Sequence, residues 1–393
     1  MGSFISLGLG KLELDLGKNY GFRNYSALFQ HSDKKDIPYY YADDTIEFKP
    51  GYSRVLSSVK RRLELIGYSM DNLSEMHVRE IELVPDYYDP VTIDFATMLK
   101  LFSNINIRDY EIKLEQGDFG LGEYAAEVIL NNPSFSDLKI HFANMSDTDA
   151  GTFFENLDPH YVLRLLMENP ANLSMNLEWR TQDIIEGGYY NEEDVFTGLS
   201  DSDKFLIVTE GTSDLFVIKK TLELMFPDIM DFFSFVDMED NYPFTGTGNL
   251  FKFCQGLTSI RIQNKILVVF DNDVEGNLNY QKTIKLKLPV NMKIMKLPYL
   301  EEFSNFKTIG PSGEAFGDIN GTAVAIECFL DFKGLKPRVR WTDYRKDSDV
   351  YQGSLENKDA YIRNFKTARA GGGSDYDFSK LKILIEEIIK NCM

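Results

Sequence analysis

The second half of the chain alternates short apolar runs with longer amphipathic segments, and this alternation restricts the fold more than any other feature of the sequence. Four mostly apolar runs are each too short for a helix: residues 205–208, 232–236, 266–270 and 292–295. Three segments with helical spacing separate them: residues 214–226, 248–260 and 278–288. Apolar strands that alternate with amphipathic helices are typical of a parallel sheet covered by helices on both faces. We therefore predict an α/β fold for this half.

The first half of the chain has a less regular pattern, in which strands and helices are mixed. Strand-like alternation occurs at residues 4–9, 12–16, 37–48 and 138–142, and an Asp-Asp turn divides the third of these. Helical spacing occurs at residues 52–65, 92–102, 121–130 and 159–168. At the other end of the chain we expect a glycine-rich loop at 371–374 and a last helix at 378–389.

A polar, turn-rich stretch at residues 187–201 separates the two halves, and we place the domain boundary near 198–203. The sequence thus predicts a mixed α+β N-terminal domain over residues 1–200. A catalytic core is expected over residues 201–300, and a C-terminal extension of that core over residues 301–393.

Charge is unevenly distributed along the 393 residues, whose formal net charge is −19. Residues 1–200 carry 17 basic and 33 acidic residues, a net charge of −16, whereas residues 201–393 carry 25 and 28, a net charge of −3. A hydrophobic content of 43% is enough for packed cores and excludes a disordered chain. The overall field opposes nucleic-acid binding, because phosphate binding depends on Lys and Arg. The acidic first half is a predicted docking surface for a partner such as a separate ATPase or sensor protein.

The cysteine pattern argues against a disulfide framework and against a thiolate zinc site. Cys254, Cys328 and Cys392 are odd in number, far apart and outside any C-x-x-C spacing. No apolar run reaches the roughly 18 residues that a membrane span needs. We therefore expect a cytoplasmic protein without a membrane partner, and the sequence leaves its oligomeric state open.

Acidic residues follow two of the predicted strands. Glu210 comes directly after the first strand, Asp214 lies four residues later, and Asp271 and Asp273 follow the third strand. The carboxyl ends of parallel strands meet at one edge of a sheet, so these four acids are expected to converge. Two like charges about 4 Å apart repel by about 4 kcal/mol at an effective dielectric constant near 20, so such a cluster does not serve core stability.

Carboxylate ligands without nearby imidazole or thiolate favour Mg²⁺ or Mn²⁺ over zinc and copper, and residues 201–393 contain no histidine. Divalent ions in such a site promote phosphoryl chemistry. In this interpretation Glu210 is a metal ligand or proton acceptor, and Asp271 and Asp273 are metal ligands. An acid after a strand is also a common turn residue or helix cap, so a structural role remains the alternative.

Two motifs resemble those of the Toprim domain, which topoisomerases, bacterial primases, ribosomal RNA maturases and OLD-family nucleases share. They are VTEGTSD at residues 208–214 and VVFDNDVEG at residues 268–276. The resemblance implies that Glu210, Asp271 and Asp273 are catalytic residues of a metal-dependent phosphodiesterase.

A third segment, AIECFL at residues 325–330, is similar to the later acidic motif of OLD-type Toprim domains. That similarity implies that Glu327 belongs, with Asp214, to a second metal position, and that Lys358 is a basic substrate-binding residue. Lys282 and Lys285 begin a basic run that we also expect to contact substrate.

The start of the chain, residues 1–8 and 22–29, resembles the N-terminal domain of bacterial HEPN/Toprim-associated proteins, which are linked mainly to conflict with phages and mobile elements. HEPN ribonucleases carry Arg and His separated by four to six residues, whereas seven residues separate Arg23 from His31 here. We therefore expect no ribonuclease chemistry in the first half. The chain has no G-x-x-x-x-G-K-[ST] motif, so any ATPase would be another polypeptide.

The leading hypothesis is thus a Mg²⁺- or Mn²⁺-dependent Toprim nuclease that nicks or cleaves nucleic acid, with DNA favoured over RNA, as the effector of an anti-phage defence system. One alternative is a regulatory or toxin-like subunit that is active only with a partner ATPase. The other is a HAD-like phosphatase, in which Asp271 is the nucleophile and Asp273 the acid/base.

Overall fold

The computed structural model describes residues 3–19, 21–41, 45–82, 93–109, 120–125, 147–235, 247–345, 349–369 and 375–393. The chain divides into two compact units, Met1–Leu199 and Ser200–Met393. Six of the predicted segments lie partly or wholly outside the described residues. The strand at 138–142 and the loop at 371–374 lie wholly outside them, and the strand-like segments at 37–48 and 232–236 and the helices at 92–102 and 121–130 lie partly outside them.

The first unit contains one antiparallel sheet, with helices packed against it. Its strands are β1 (Phe4–Leu9), β2 (Leu12–Lys18), β3 (Lys34–Tyr40), β4 (Ile46–Val55) and β5 (Asn176–Arg180), in the spatial order β2-β1-β5-β4-β3. Its α-helices in the described residues are α1 (Leu56–Leu65), α2 (Met70–Glu82), α3 (Phe95–Ser103), α4 (Leu121–Tyr124), α5 (Asp147–Glu155), α6 (Pro159–Leu166), α7 (Gln182–Glu186) and α8 (Glu192–Val195). The mixed α+β character that the sequence predicts for this half is confirmed.

The core of the first unit lies between this sheet and the helices. Leu7, Tyr52 and Trp179 come from three adjacent strands and are almost completely buried there. The helix predicted at 52–65 was wrong at its start, because β4 continues to Val55 and α1 begins only at Leu56. Tyr52 pairs with Trp179 of β5, so its backbone belongs to the sheet. Helical spacing alone had assigned this residue to the helix.

The second unit begins with the elements that the alternating pattern predicts. They are β6 (Phe205–Thr209), α9 (Thr212–Met225), β7 (Phe233–Phe235), α10 (Thr247–Ile260), β8 (Lys265–Phe270), β9 (Asn272–Asp273), α11 (Val274–Ile284) and β10 (Met292–Lys296). Strands β10-β8-β6-β7 lie in this order in one sheet, and every neighbouring pair is parallel. The parallel sheet is therefore confirmed. The helix predicted at 278–288 was wrong in its limits. α11 begins four residues earlier, at Val274, because Asp273 caps it.

Helices cover both faces of the parallel sheet. On one face, Val208 and Val268 share a buried cluster with Leu250 and Cys254 of α10. The intervening strand residues point the other way and are also buried, Leu267 completely. On that side α9 packs against β6.

The remaining elements of the second unit build another sheet and two more helices. They are β11 (Phe306–Gly310), β12 (Gly313–Gly317), β13 (Ala323–Val324), β14 (Val339–Arg345), β15 (Val350–Leu355), α12 (Lys358–Lys366) and α13 (Ser379–Cys392). This sheet has the order β12-β11-β14-β15, and α13 packs against β8 and β10. β13 pairs with β9, which ties the turn after β8 to residues 323–324. Among the described helices, none is both long enough and apolar enough to cross a membrane.

Candidate active site

The first two acids lie where β6 meets α9. β6 ends at Thr209, so Glu210 directly follows a buried strand, and Gly211 precedes the helix. The backbone N–H of Gly211 donates to Asp214 Oδ2 at 2.9 Å, and Thr209 Oγ1 donates to the Gly211 carbonyl oxygen at 2.9 Å. A carboxylate in the first turn of a helix is favoured by the exposed N–H groups there. This turn therefore brings Glu210 and Asp214 close enough to interact electrostatically.

The next two acids lie where β8 meets α11. Asp271 follows the last residue of β8, and Asp273 Oδ1 accepts a hydrogen bond from the Gly276 backbone N–H at 2.7 Å. A side chain does not fit at Gly276, because its Cβ would lie 2.3 Å from the Asp271 carbonyl oxygen. Since β6 and β8 are neighbouring parallel strands, the two acidic turns lie at the same edge of the sheet.

The acids at this edge form one electrostatic cluster. Burial raises the pKa of Asp271 well above its ordinary value, and the charges of Asp214 and Glu210 raise it further. Burial also raises the pKa of Asp214, to about 7, and the charge of Glu327 is the next cause. Asp214 and Asp271 are thus harder to ionise because other carboxylates lie near them.

Glu327 and Lys358 form an ion pair beside the cluster, in which Glu327 is buried and the Lys358 side chain is 36% exposed. Glu327 lies in the short 3₁₀-helix Ile326–Phe329 and is only 6% exposed, and Lys358 is the first residue of α12. Lys358 Nζ lies 3.1 Å from Glu327 Oε2. Burial lowers the pKa of Lys358, but the charge of Glu327 and its hydrogen bond outweigh this effect, so the pKa is raised.

Gln352 is a contact of the acidic turn that the sequence motifs did not reveal. Its Nε2 donates to Asp273 Oδ2 at 2.6 Å, and its Oε1 accepts the backbone N–H groups of Val274 at 3.1 Å and Glu275 at 3.3 Å. One side chain on β15 therefore orients the Asp273 carboxylate and caps the first turn of α11. Gln352 and Asp273 are 79 positions apart in sequence, and β13 connects them: Ala323 pairs with Asp273, and the Gly353 N–H donates to the Thr322 carbonyl oxygen at 3.0 Å.

Lys296 is a second cation at the same edge, and it belongs to the basic run that begins at Lys282. It ends β10 and is paired in register with Phe270. Its Nζ donates to Asn277 Oδ1, and Asn277 Nδ2 donates to the Asp273 carbonyl oxygen at 2.8 Å. Burial lowers the pKa of Lys296.

The structure places Lys282 and Lys285 away from the acids. Both are exposed near the C-terminal end of α11, whereas Asp273 precedes its first residue. At a rise of about 1.5 Å per residue, these lysines lie roughly 14 and 18 Å along the helix from Asp273. In the first unit, Arg23 and His31 contact different partners: Arg23 pairs with Asp158 at 2.7 Å, and the exposed ring of His31 packs 4.3 Å from that of Phe196.

The donor set of the cluster suits a hard divalent cation, because it consists of partly buried carboxylates that repel one another. Lys358 supplies a single positive charge to offset them. Within the part of the chain that the structure describes, no three His, Cys, Asp or Glu side chains converge closely enough to hold a metal ion. An ion would therefore have to draw at least three of these acids together.

The second unit belongs to the class of α/β folds in which a parallel sheet carries its polar residues at the carboxyl edge. Comparison with known families identifies the chain through its first unit. The family model of HEPN/Toprim N-terminal domain 1 matches residues 1–203, so the chain belongs to this family and is a HEPN/Toprim-associated protein. No curated protein and no solved structure matches the chain significantly. The expectation from residues 1–8 and 22–29 is confirmed, whereas the Toprim resemblance lies beyond the matched residues and stays a prediction.

Proposed function

We propose that the chain is a Mg²⁺- or Mn²⁺-dependent nuclease whose active site is the acidic edge of the parallel sheet. The observation that carries this proposal is that acids from two strand ends interact electrostatically. The charges of Asp214 and Glu210 both raise the pKa of Asp271. Membership of a HEPN/Toprim-associated family fits a nuclease-associated protein. The HAD-like alternative uses only Asp271 and Asp273. It gives no role to the electrostatic interaction of Asp271 with Glu210 and Asp214.

In this proposal Glu210, Asp271 and Asp273 hold the metal ion, and Asp214 lies beside them. A bound Mg²⁺ or Mn²⁺ would supply electrophilic stabilisation of the phosphate charge. Asp273 is preset for binding because Gln352 and the Gly276 N–H fix both of its oxygens. Hydrogen bonds to a ligand side chain commonly orient it toward the metal in proteins.

The proposed reaction is hydrolysis of a phosphodiester bond. The oxygen of a water molecule forms a bond to phosphorus while the bond from phosphorus to the leaving sugar oxygen breaks. Glu210 accepts the proton that the water loses, and a proton from solvent completes the leaving alcohol. Lys358, at the inner side of the cluster, donates hydrogen bonds to the phosphate, and the exposed Lys282 and Lys285 contact a more distant part of a long substrate.

A polynucleotide is the substrate class that we favour, because its phosphates repeat along a length that reaches from the acids to the far end of α11. The motif resemblance to OLD-family nucleases favours DNA over RNA. The link of HEPN/Toprim-associated proteins with phage conflict leads us to propose a role in anti-phage defence.

Metal-dependent cleavage tests the proposal. Supercoiled plasmid, single-stranded DNA and RNA are incubated with the protein and Mg²⁺ or Mn²⁺, and with EDTA as the metal-free control. We expect nicking or cleavage that needs the metal and that falls on the order of 100-fold or more in Glu210→Gln and Asp271→Asn. Glu223→Gln, an exposed position on α9, should retain wild-type cleavage. Equal cleavage by all four proteins would refute the proposal.

A second candidate is a regulatory or toxin-like subunit that works only with a partner. The net charge of −16 on residues 1–200 favours it, because such a surface attracts a basic partner and discourages unaided DNA binding. Cleavage that appears only after co-purification with a separate ATPase or sensor protein would support this form of the proposal. Full metal-dependent cleavage by the chain alone would exclude it.

A further inference from the structure

The packing of its helix sets the position of the Lys358 backbone. α12 begins at Lys358, and its next turn places Tyr361, which is completely buried, against Phe332 with ring centroids 4.9 Å apart. The strand before it is fixed by the pairing of β15 with β14. The ammonium group is therefore held at the acidic cluster by the fold.

Lys358 faces more than one acid. Its ion pair with Glu327 is 3.1 Å long; the Glu327 side chain is 8% exposed and the Lys358 side chain 36% exposed, so little water reaches the carboxylate. The ammonium also interacts electrostatically with Asp271 and Asp214. The Lys358 ammonium thus balances negative charge on the side of the cluster where α9 and the 3₁₀-helix lie.

A second divalent ion bound by Glu327 would have to displace this ammonium or lie next to it. Displacement would break the ion pair of the buried Glu327, and adjacency would place two cations side by side at one carboxylate. Either arrangement is unfavourable while Glu327 keeps its ion pair.

From this geometry we infer that the site holds one divalent ion per chain, and that the Lys358 ammonium takes the place of a second ion. Glu210, Asp271 and Asp273 bind the single ion, whereas Glu327 pairs with Lys358 and binds no metal. The Lys358 N–H groups then lie where phosphate oxygens carry negative charge. This inference rests on the proposed function, because the ion and the phosphate belong to that same site.

Isothermal titration calorimetry of the full chain with MnCl₂ measures the number of ions directly. We expect one Mn²⁺ per chain in the wild type and two in Lys358→Met, because the neutral side chain leaves Glu327 free to bind a metal. Lys252→Met removes an exposed lysine from α10 and should keep one ion. Glu327→Gln should also keep one ion, and it provides the test if Lys358→Met does not fold by circular dichroism.

The outcomes separate this inference from the proposed function. Two ions in the wild type, one of them lost in Glu327→Gln, would overturn the inference while the nuclease proposal stands. A single ion in a folded Lys358→Met would overturn it as well. No Mn²⁺ binding by the wild type would refute the proposed metal site itself. In cleavage assays, Lys358→Met should lower the single-turnover rate on the order of 100-fold at saturating Mn²⁺.

Discussion

At the scale of single residues, Gly276 shows how the acidic turn after β8 is fixed. Its missing side chain lets the backbone of α11 approach Asp271, and its N–H group holds Asp273. The Asp-x-Asp spacing in the sequence indicates two acids on one turn. It does not indicate that a glycine three residues later sets their positions.

We predict that Gly276→Ala destabilises the protein by about 1 to 3 kcal/mol, because the new Cβ must push the Asp271 carbonyl away. Urea denaturation measures the free energy of unfolding. Gly256→Ala is the matched control: Gly256 lies within α10 with open space around it, so alanine there should stabilise by up to about 1 kcal/mol. Equal effects of the two substitutions would contradict the close contact.

Asp214 predicts a pH dependence in the metal-free protein. Its pKa rises on folding from an ordinary value of 3.8 to about 7, so the folded state binds a proton that the unfolded state releases between these values. The free energy of unfolding should therefore fall as the pH rises from about 4 to about 7. Asp214→Asn should reduce this fall, to which the raised pKa of Asp271 also contributes, and should make the metal-free protein more stable than wild type at pH 8.

Thermal denaturation in EDTA at several pH values checks this prediction, and Glu223→Gln, an exposed acid on the same helix, is the control. Parallel stability curves for wild type and Asp214→Asn would show that the Asp214 carboxylate titrates normally. Addition of Mn²⁺ should reverse the order at pH 8, because the negative charge of Asp214 beside the three ligands strengthens metal binding.

At the scale of elements, the hairpin of β14 and β15 completes a site whose acids lie on the parallel sheet. Gln352 on β15 contacts Asp273 and the start of α11, and α12 follows β15 with Lys358 at its first position. The segment from β15 to α12 thus forms a second wall of the acidic cluster.

Gln352→Met retains the length of the side chain and removes its hydrogen bonds. We expect a loss of about 1 to 3 kcal/mol in stability, because backbone N–H groups of α11 lose their acceptor. We also expect Mn²⁺ affinity to fall about 10- to 100-fold, because Asp273 loses the contact that orients it. Gln281→Met, an exposed position on α11, should change neither quantity. A stability loss without a change in affinity would assign Gln352 a structural role only.

Local patterns predicted the parallel sheet and the acids at its edge, because buried strands and amphipathic helices leave periodic signals in the residues that form them. Two of the failures occurred where distant pairing decides the structure. β4 extends to Val55 because β5 pairs with it, and Gln352 could not be predicted because no local motif records contacts that sheet topology creates. The start of α11 has a local cause, since Asp273 caps the helix before its helical spacing begins.

At the scale of the whole molecule, the two compact units differ in charge, with −16 on residues 1–200 and −3 on residues 201–393. Each unit contains one of the two tryptophans: Trp179 in the first and Trp341 in the second. Fluorescence can therefore follow the units separately. Trp341→Phe leaves Trp179, which is completely buried, as the only indole reporter.

We predict that Mn²⁺ stabilises the second unit alone, because the ion binds only its folded state. At about 100 times the dissociation constant the gain is about 2.7 kcal/mol. The denaturation midpoint of the wild type should show this shift in the Trp341 component, whereas the Trp179 signal of Trp341→Phe should not move. An equal shift of both signals would place the ion, or its effect, in both units.

Anomalous diffraction from crystals grown with Mn²⁺ locates the proposed metal ion without any assay of activity. We expect one strong anomalous peak at the carboxyl edge of the parallel sheet, coordinated by the carboxylates of Glu210, Asp271 and Asp273, and no such peak in Asp271→Asn. A wild-type crystal without a peak at this edge in millimolar Mn²⁺, or with its ion bound elsewhere, would refute the proposed metal site.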